Sequence, residues 1–383
     1  MFVHKNQLAY QIPPEWYYSP AHYEREIDRL FLPTWHFVGS KADMPQDGDF
    51  RTLELLGTPL LIRNFGGQYH AFLNVCSHRH CQLTSEARGH SDALRCQYHG
   101  WEYEASGRTR RIPDAGCFRP FDRENARLRK FRLETCGDLL FVSLARSGPG
   151  LRTYLGAFHD RLETLLDENW RLAWTWEHDC ASNWKLPVEN TVESYHLPCV
   201  HSGVFASVYP SEAAQQHDLH ENYSTLRYDL SENKTISFWQ RWTAGVLGAD
   251  SSNIYVHHLV HPHLVITIND LVIYVHVYLP TSPTTTRAIA RAYTYRGDRR
   301  NPLAWLAARS TAWNTRSGLL KVQLEDAAVM GPAQRGIESS VHRGCIGTRE
   351  ERVYAFQKFV RDRCAARDQR IPELATANRQ LAS

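Results

Sequence analysis

No apolar run in this 383-residue chain approaches the ~18–20 residues that a membrane-spanning helix needs. The first twenty residues carry Lys5, Gln7 and Glu15 and no apolar stretch, so no signal peptide is expected. Neither sign of charge dominates. Against 44 Lys and Arg stand 41 Asp and Glu, which removes the electrostatic case for nucleic acid or an anionic membrane. Internal repeats and low-complexity segments are absent. So is a Gly-rich dinucleotide fingerprint: Gly245-Val246-Leu247-Gly248 lacks the G-x-G-x-x-G pattern, and NAD(P)H is not expected to bind this chain. Nine cysteines, an odd count spread over a long chain, argue against a disulfide framework and fit a reducing cytoplasm.

The length is enough for two domains, each with its own core. Tyr23, Ile27, Leu30 and Phe31 recur at helical spacing, which predicts a helix over 20–32. From Trp35 to about Leu144 the pattern is short alternating strands with Gly punctuation, and Asn64-Phe65-Gly66-Gly67 reads as a hairpin turn. Arg146-Ser147-Gly148-Pro149-Gly150 reads as a linker, followed by a helix over 151–168. Strands return from Leu226 to Tyr295 and suggest an antiparallel sheet, and helices are expected over 302–331 and 349–366. Aromatics make up 11% of the chain, including 11 Trp, which suits a large mixed core rich in strands.

Two groups of potential ligands stand out. Cys76-Ser77-His78 and Cys96-Gln97-Tyr98-His99 are separated by 17 residues, so two loops could clamp one centre from opposite sides. Two Cys and two His at this spacing suit a [2Fe–2S] cluster with two thiolates on one iron and two imidazoles on the other. Replacing two thiolates by imidazoles raises the potential to ~−150 to +300 mV, from ~−400 mV for an all-Cys cluster. A structural zinc site uses the same residue types. The second group is His196 and His201, with Glu193 nearby. Two His and one carboxylate form the facial triad of a non-haem Fe(II) oxygenase, with positions left open for O2 and substrate. Residues five apart on a regular helix diverge by about 140°. His196 and His201 therefore converge only if the helix breaks or bulges, and Pro198 lies between them.

Cys76-Ser77-His78-Arg79 with Cys96-Gln97-Tyr98-His99-Gly100-Trp101 resembles the Rieske half of the Rieske non-haem iron oxygenases. Asn183-Trp184-Lys185, Glu189-Asn190 and Glu193-Ser194-Tyr195-His196 with His201 resemble the catalytic half of the terminal oxygenase, or alpha, subunit. The resemblance runs in order from about Trp35 to Phe359. It implies an α+β chain: an all-β Rieske domain over 36–145, and a catalytic domain over 1–35 and 151–383 with an antiparallel sheet flanked by helices. It implies one [2Fe–2S] cluster on Cys76, His78, Cys96 and His99 and one Fe(II) on His196, His201 and a late carboxylate. Glu325-Asp326, upstream of Gln334-Arg335-Gly336, matches the family's Glu-Asp pair. Asp326 is assigned as the ligand, with Glu325 as the alternative.

In the family, the acid matching Glu193 bridges the ligand His to a Rieske His of a neighbouring subunit, because the two centres of one chain lie too far apart. Asn190 is placed with Glu193 in the catalytic set. The usual bridging residue is Asp; Glu193 resembles the members that oxidise quaternary amines such as carnitine, choline or betaine. Where the family has Gly after the Arg, this chain has His80. His80, His90 and Cys81 are read as non-ligands, and Cys81 as a free buried thiol, since Tyr98 occupies the position of its possible disulfide partner.

The resemblance implies a homotrimer that takes electrons from a separate NAD(P)H-dependent reductase or ferredoxin and uses O2 to hydroxylate or oxidatively demethylate a small organic substrate. Monooxygenation is favoured over cis-dihydroxylation of an aromatic ring. A non-enzymatic Rieske electron carrier would explain 36–145 but leave the later ligand set as coincidence, and a zinc-bound structural or interaction module would be favoured by a colourless purified protein. Phe205, Tyr209, Phe238, Trp239, Trp242, Tyr255 and His263 are the candidate pocket residues.

Overall fold

A computed structural model describes residues 2–3, 8–122, 124, 126–202, 211–298 and 300–365. The chain divides into two compact units, one formed by residues 32–164 and the other by residues 1–31 with the chain from Leu165 onward. In the second unit α1 (Pro20–Glu26) widens into a π-turn over Ile27–Phe31. Pro20 occupies the first turn of α1, where its missing N–H has no partner to lose.

The first unit holds β1 (His36–Ser40), β2 (Asp49–Leu55), β3 (Thr58–Phe65), β4 (Gln68–Leu73), β5 (Arg88–His90), β6 (Leu94–Arg95), β7 (Glu102–Tyr103), β8 (Thr109–Arg111), β9 (Lys130–Cys136) and β10 (Leu139–Ser143). Seven of these form an antiparallel sheet in the order β1-β10-β9-β4-β3-β2-β5, and β6, β7 and β8 form a small separate one. Gly66 and Gly67 join β3 to β4 with φ of +59° and +88°, values that favour a two-Gly hairpin turn. The expected helix over 151–168 is split into α2 (Leu151–Leu155) and α3 (Ala157–Leu165) by Gly156, whose φ is +55°. Both helices fall within 32–164 or at its edge, whereas the sequence placed 151 onward in the catalytic domain.

In the second unit come β11 (Trp170–Cys180), α4 (Lys185–Val192), α5 (Leu197–Val200), β12 (Gln215–Leu219) and β13 (Tyr223–Asp229). They are followed by α6 (Lys234–Leu247), β14 (Ile254–Val260), β15 (Leu264–Ile268), β16 (Val272–Ser282), β17 (Thr285–Tyr295), α7 (Pro302–Glu338) and α8 (Glu351–Ala365). The strands form one antiparallel sheet, β11-β17-β16-β15-β14-β13-β12, as the expected α+β class requires. The α6 helix interrupts the stretch read as continuous strand. Asn233 caps its start by accepting from Ile236 N–H, and Gly248 ends it at φ +71°.

The motif Asn183-Trp184-Lys185 fastens this unit together. Glu26 on α1 accepts from Trp184 Nε1 at 2.7 Å and pairs with Lys185 Nζ at 2.6 Å, and all three side chains are buried. Asn183 N–H donates to Gln334 Oε1 on α7 at 2.8 Å, so the early motif and the Gln-x-Gly segment meet.

Two candidate metal centres and a cavity

The first centre lies on two loops that share one backbone pattern. Cys76 N–H donates to Cys81 O at 2.8 Å, and His80 N–H to Cys76 O at 3.1 Å. In the other loop Cys96 N–H donates to Trp101 O at 2.8 Å, and Gly100 N–H to Cys96 O at 3.1 Å. The fifth residue of each loop is left-handed: His80 at φ +58° and Gly100 at φ +70°. The departure from the family's Gly therefore falls where Gly has no Cβ penalty and His has one.

Cys76 and Cys96 are buried, each 2% exposed, while His78 and His99 are half-buried. His78 stacks flat on Trp101 at 4.7 Å and meets His99 edge-on at 4.7 Å. Tyr103 Oη lies 3.0 Å from Cys76 Sγ. Burial pushes the Cys76 thiol up, so a metal's positive charge is what would hold the thiolate here. The buried Nδ1 of His78 has no hydrogen-bond partner. Two buried thiols, two half-buried imidazoles and an unpartnered ring nitrogen fit an iron–sulfur cluster. Among the decoys, His80 is exposed and His90 Nδ1 pairs with Asp49 at 2.9 Å. Cys81 is free but half-buried, not fully buried as expected, since it packs on the rim of the cluster of apolar side chains.

The second centre forms where the chain breaks after α4. Glu193 is extended, at φ −119° and ψ 167°, and α5 starts at Leu197. His196 precedes α5 and His201 follows it, so one short helix brings both rings together. Pro198 sits in the first turn of α5, where it is tolerated, and the break lies ahead of it. Glu193 and His196 share no helix, since α4 ends before Glu193 and α5 starts after His196. Glu193 reaches across the break instead. Its Oε1 holds His196 Nδ1, and its Oε2 accepts from the backbone N–H of Tyr195 and of His196.

The third partner comes from the middle of α7. Asp326 Oδ1 is 3.1 Å from His201 Nε2 and 3.7 Å from His196 Nε2. Ligand atoms of His196, His201 and Asp326 all lie within 4.8 Å of one another. Glu325 Oε2 is instead 2.8 Å from His201 Nδ1. Asn190 Nδ2 donates to Asp326 Oδ1 at 2.9 Å. Both imidazoles thus have Nδ1 held by a glutamate and Nε2 turned to one aspartate, a donor set that fits a single iron. Glu189, next to Asn190, points the other way. It accepts from Tyr17 Oη at 2.5 Å and Gln357 Nε2 at 3.0 Å. Burial raises its carboxyl to about 7.

A cavity of about 530 Å³ opens on this centre. Asn190, Glu193, His196, His201 and Asp326 form one wall, and the sheet forms another. Cross-strand register sets Leu226, His257, Thr267 and Tyr274 in one row on β13 to β16, all four on the cavity. Of the candidate pocket residues, Tyr255 lines it. Phe238, Trp239 and Trp242 do not: they point out of α6 and are 55%, 57% and 47% exposed. His263 is buried and packs edge-on to Phe31 at 5.2 Å. Phe205 and Tyr209 lie outside the described residues. Sequence reading missed His257, Tyr274 and His276; two-residue spacing of polar groups in otherwise apolar strands was the available signal.

Residues 34–131 match the Rieske [2Fe-2S] domain, and residues 166–366 match the ring hydroxylating alpha subunit (catalytic domain). The glycine betaine monooxygenase oxygenase subunit of Pseudomonas aeruginosa is 32% identical over 189 residues, 49% of this chain. That match is 44% of the relative's length, so the chain spans less than half of it. The anthranilate 1,2-dioxygenase large subunit of Acinetobacter baylyi is 27% identical over 281 residues, 68% of this chain and 58% of the relative. The crystal structure of the quaternary ammonium Rieske monooxygenase CntA with L-carnitine shares the fold, with a TM-score of 0.74 at 20% identity. The alignment covers 93% of this chain and 96% of that one. No described helix is long and apolar enough to cross a membrane. With its two ligand-bearing units in the same order, the chain belongs to the ring hydroxylating alpha subunit family, carrying a Rieske [2Fe–2S] domain ahead of the catalytic domain.

Proposed function

We propose that this chain is the oxygenase component of a multicomponent Rieske non-haem iron oxygenase, hydroxylating or oxidatively demethylating a small organic substrate. The observation that carries the reading is the convergence of His196, His201 and Asp326 on the cavity wall. We assign these three as iron ligands, and Cys76, His78, Cys96 and His99 as cluster ligands. Iron at such a site, fed with electrons from the cluster, supplies O2 chemistry.

The chain's own residues prepare that chemistry. Glu193 and Glu325 hold the Nδ1 positions of the two histidines, which keeps Nε2 free and aimed inward. Asn190 fixes the Asp326 side chain. The apolar side chains Leu226, Leu230, Ile236, Val272, Leu319 and Val322 exclude water from the rest of the cavity. Glu193 also suits a bridge between His196 and a neighbouring subunit's His99, in a head-to-tail trimer supplied by a separate reductase or ferredoxin. The names of the relatives, glycine betaine and carnitine monooxygenases and anthranilate dioxygenase, give the first substrates to try.

Iron content together with substrate-dependent oxygen uptake tests the reading. An oxygenase should hold about three Fe per chain and incorporate isotopic oxygen from O2 into product. About two Fe per chain and no substrate-dependent uptake would leave a Rieske electron carrier.

A further inference from the structure

The sheet wall of the cavity carries polar atoms that nothing among the described residues satisfies. His257 Nε2, Tyr274 Oη and both ring nitrogens of His276 are buried without a hydrogen-bond partner among the described residues. The three side chains are 5%, 5% and 3% exposed, and all three line the cavity. Buried polar groups are almost always paired, so this concentration on one wall marks where a ligand's heteroatoms belong.

His257 differs from the other two because its tautomer and electrostatics are set from behind. Arg352 on α8 is completely buried. Its Nε donates to Ser224 Oγ at 3.1 Å, its Nη1 to Val192 O at 3.2 Å, and its Nη2 to Ser224 O at 3.2 Å and His257 O at 3.3 Å. Nη2 also lies 3.2 Å from His257 Nδ1. A guanidinium can only donate, so Nδ1 must accept and the ring proton must sit on Nε2. Burial, then the Arg352 charge, holds His257 well below the usual histidine range, so the ring is neutral. Burial lowers Arg352 to about 9, which still leaves it charged at neutral pH.

Among the described residues no carboxylate pairs with Arg352. The adjacent Glu351 turns to His217 Nδ1 at 2.8 Å. The hydrogen bonds of Arg352 and the electrostatic pull of Glu351 offset part of the cost of burying that charge. Among the described residues no Lys or Arg lines the cavity itself. Arg352, which touches His257 and not the cavity, therefore acts on the cavity through the imidazole of His257.

We infer that His257 Nε2–H, backed by Arg352, binds an anionic oxygen of the substrate, a carboxylate or sulfonate, at the sheet wall of the cavity. This rests on the oxygenase reading of the same cavity. Asp326 and Glu193 on the metal side of the cavity repel an anion, and among the described residues no carboxylate acts on His257, so the substrate's uncharged or cationic end faces the iron ligands and its anionic end faces His257. Arg352 is a positioning residue: it fixes the ring's tautomer and strengthens the donor without touching substrate. Tyr274 and His276, beside His257 on the same wall, supply further hydrogen bonds to that end.

Calorimetric titration of the iron-loaded, oxidised protein, which cannot turn over, tests this with acid and amide pairs: benzoate and benzamide, 2-aminobenzoate and 2-aminobenzamide, trimethylglycine and its amide. For at least one pair the acid should bind on the order of tenfold more tightly than the amide, as charge-assisted hydrogen bonds imply. His257→Phe should bring that ratio to about one while thermal unfolding stays intact. Arg352→Gln should reduce the ratio, with KM rising more than kcat falls if the pair is turned over. Amides binding as well as acids throughout, no binding by any acid, or an acid preference unchanged in His257→Phe would each overturn the inference. A retained acid preference without oxygenated product would refute the oxygenase reading and leave the binding role standing.

Discussion

Glu325 and Asp326 are neighbours on α7, yet they address opposite edges of one imidazole. Glu325 Oε2 is 2.8 Å from His201 Nδ1, and Asp326 Oδ1 is 3.1 Å from His201 Nε2. On the proposed assignment that division separates a supporting carboxylate, Glu325, from a ligating one, Asp326. Asp326→Ala should lose the mononuclear iron and oxygenation while the cluster's spectrum remains. Glu325→Ala should keep a measurable site with about 10–100-fold weaker iron affinity. Iron per chain, measured alongside the cluster's visible absorption, separates the two. The reverse pattern would mean that Glu325 is the ligand.

On the cluster loops the outcome turns on His80. Cys96→Ser should abolish the red-brown absorption and the reduced-state EPR signal. His80→Gly should keep both, and should stabilise the protein by about 0.5–1 kcal/mol, the roughly 1–2 kcal/mol left-handed penalty less the roughly 0.5–1 kcal/mol entropy cost of Gly. Chemical denaturation of the holoprotein would show it. Loss of the cluster in His80→Gly would sink the loop assignment.

Electron transfer should depend on Glu193. Glu193→Gln keeps the length of the side chain but removes the charge that grips His196 Nδ1 and the two backbone N–H groups. Both centres should assemble and the cluster should reduce, while product from a prereduced single turnover collapses. Glu193→Asp should retain part of the activity. Normal single-turnover kinetics in Glu193→Gln would reduce Glu193 to a structural role.

Glu189 makes stability depend on pH. Its carboxyl is raised by burial from 4.5 to about 7, so the folded state holds the proton more tightly than the unfolded one. The stabilisation is full below about pH 4.5 and is lost as pH rises towards 7, on the order of 3 kcal/mol in all. Glu189→Gln should remove that part of the slope when urea unfolding of the two proteins is compared between pH 5 and 8. Parallel slopes in the two proteins would show that Glu189 does not hold the proton.

The ligand spacings were legible because metal chemistry restricts residue type and distance so tightly. Cys76, His78, Cys96, His99, His196 and His201 needed no tertiary information to be singled out. What surrounds the second centre was less legible. The break at Glu193 depends on its side chain bonding two backbone N–H groups, which no periodicity reports. The helix α6 was hidden because Phe238, Trp239 and Trp242 resemble a strand, although Asn233 and Gly248 are ordinary helix caps. Those three aromatics were candidates for the cavity, but they face outward. The cavity's polar wall was invisible because His257 gains its meaning from Arg352, 95 residues away in the chain.

The buried contact between Lys185 and Glu26 also sets a timetable. The two residues are 159 positions apart, with the whole first unit encoded between them. At roughly 5–20 residues per second, a ribosome takes on the order of 10–30 s to cover that interval. Throughout it, Glu26, Leu30 and Phe31 have been made but lack the partners that bury them, and the cluster-binding unit is completed before Lys185 is added. Release of the catalytic unit's opening segment from chaperones should therefore lag behind cluster insertion, and a stalled chain ending near residue 164 should carry a folded Rieske domain with an unburied N-terminal helix.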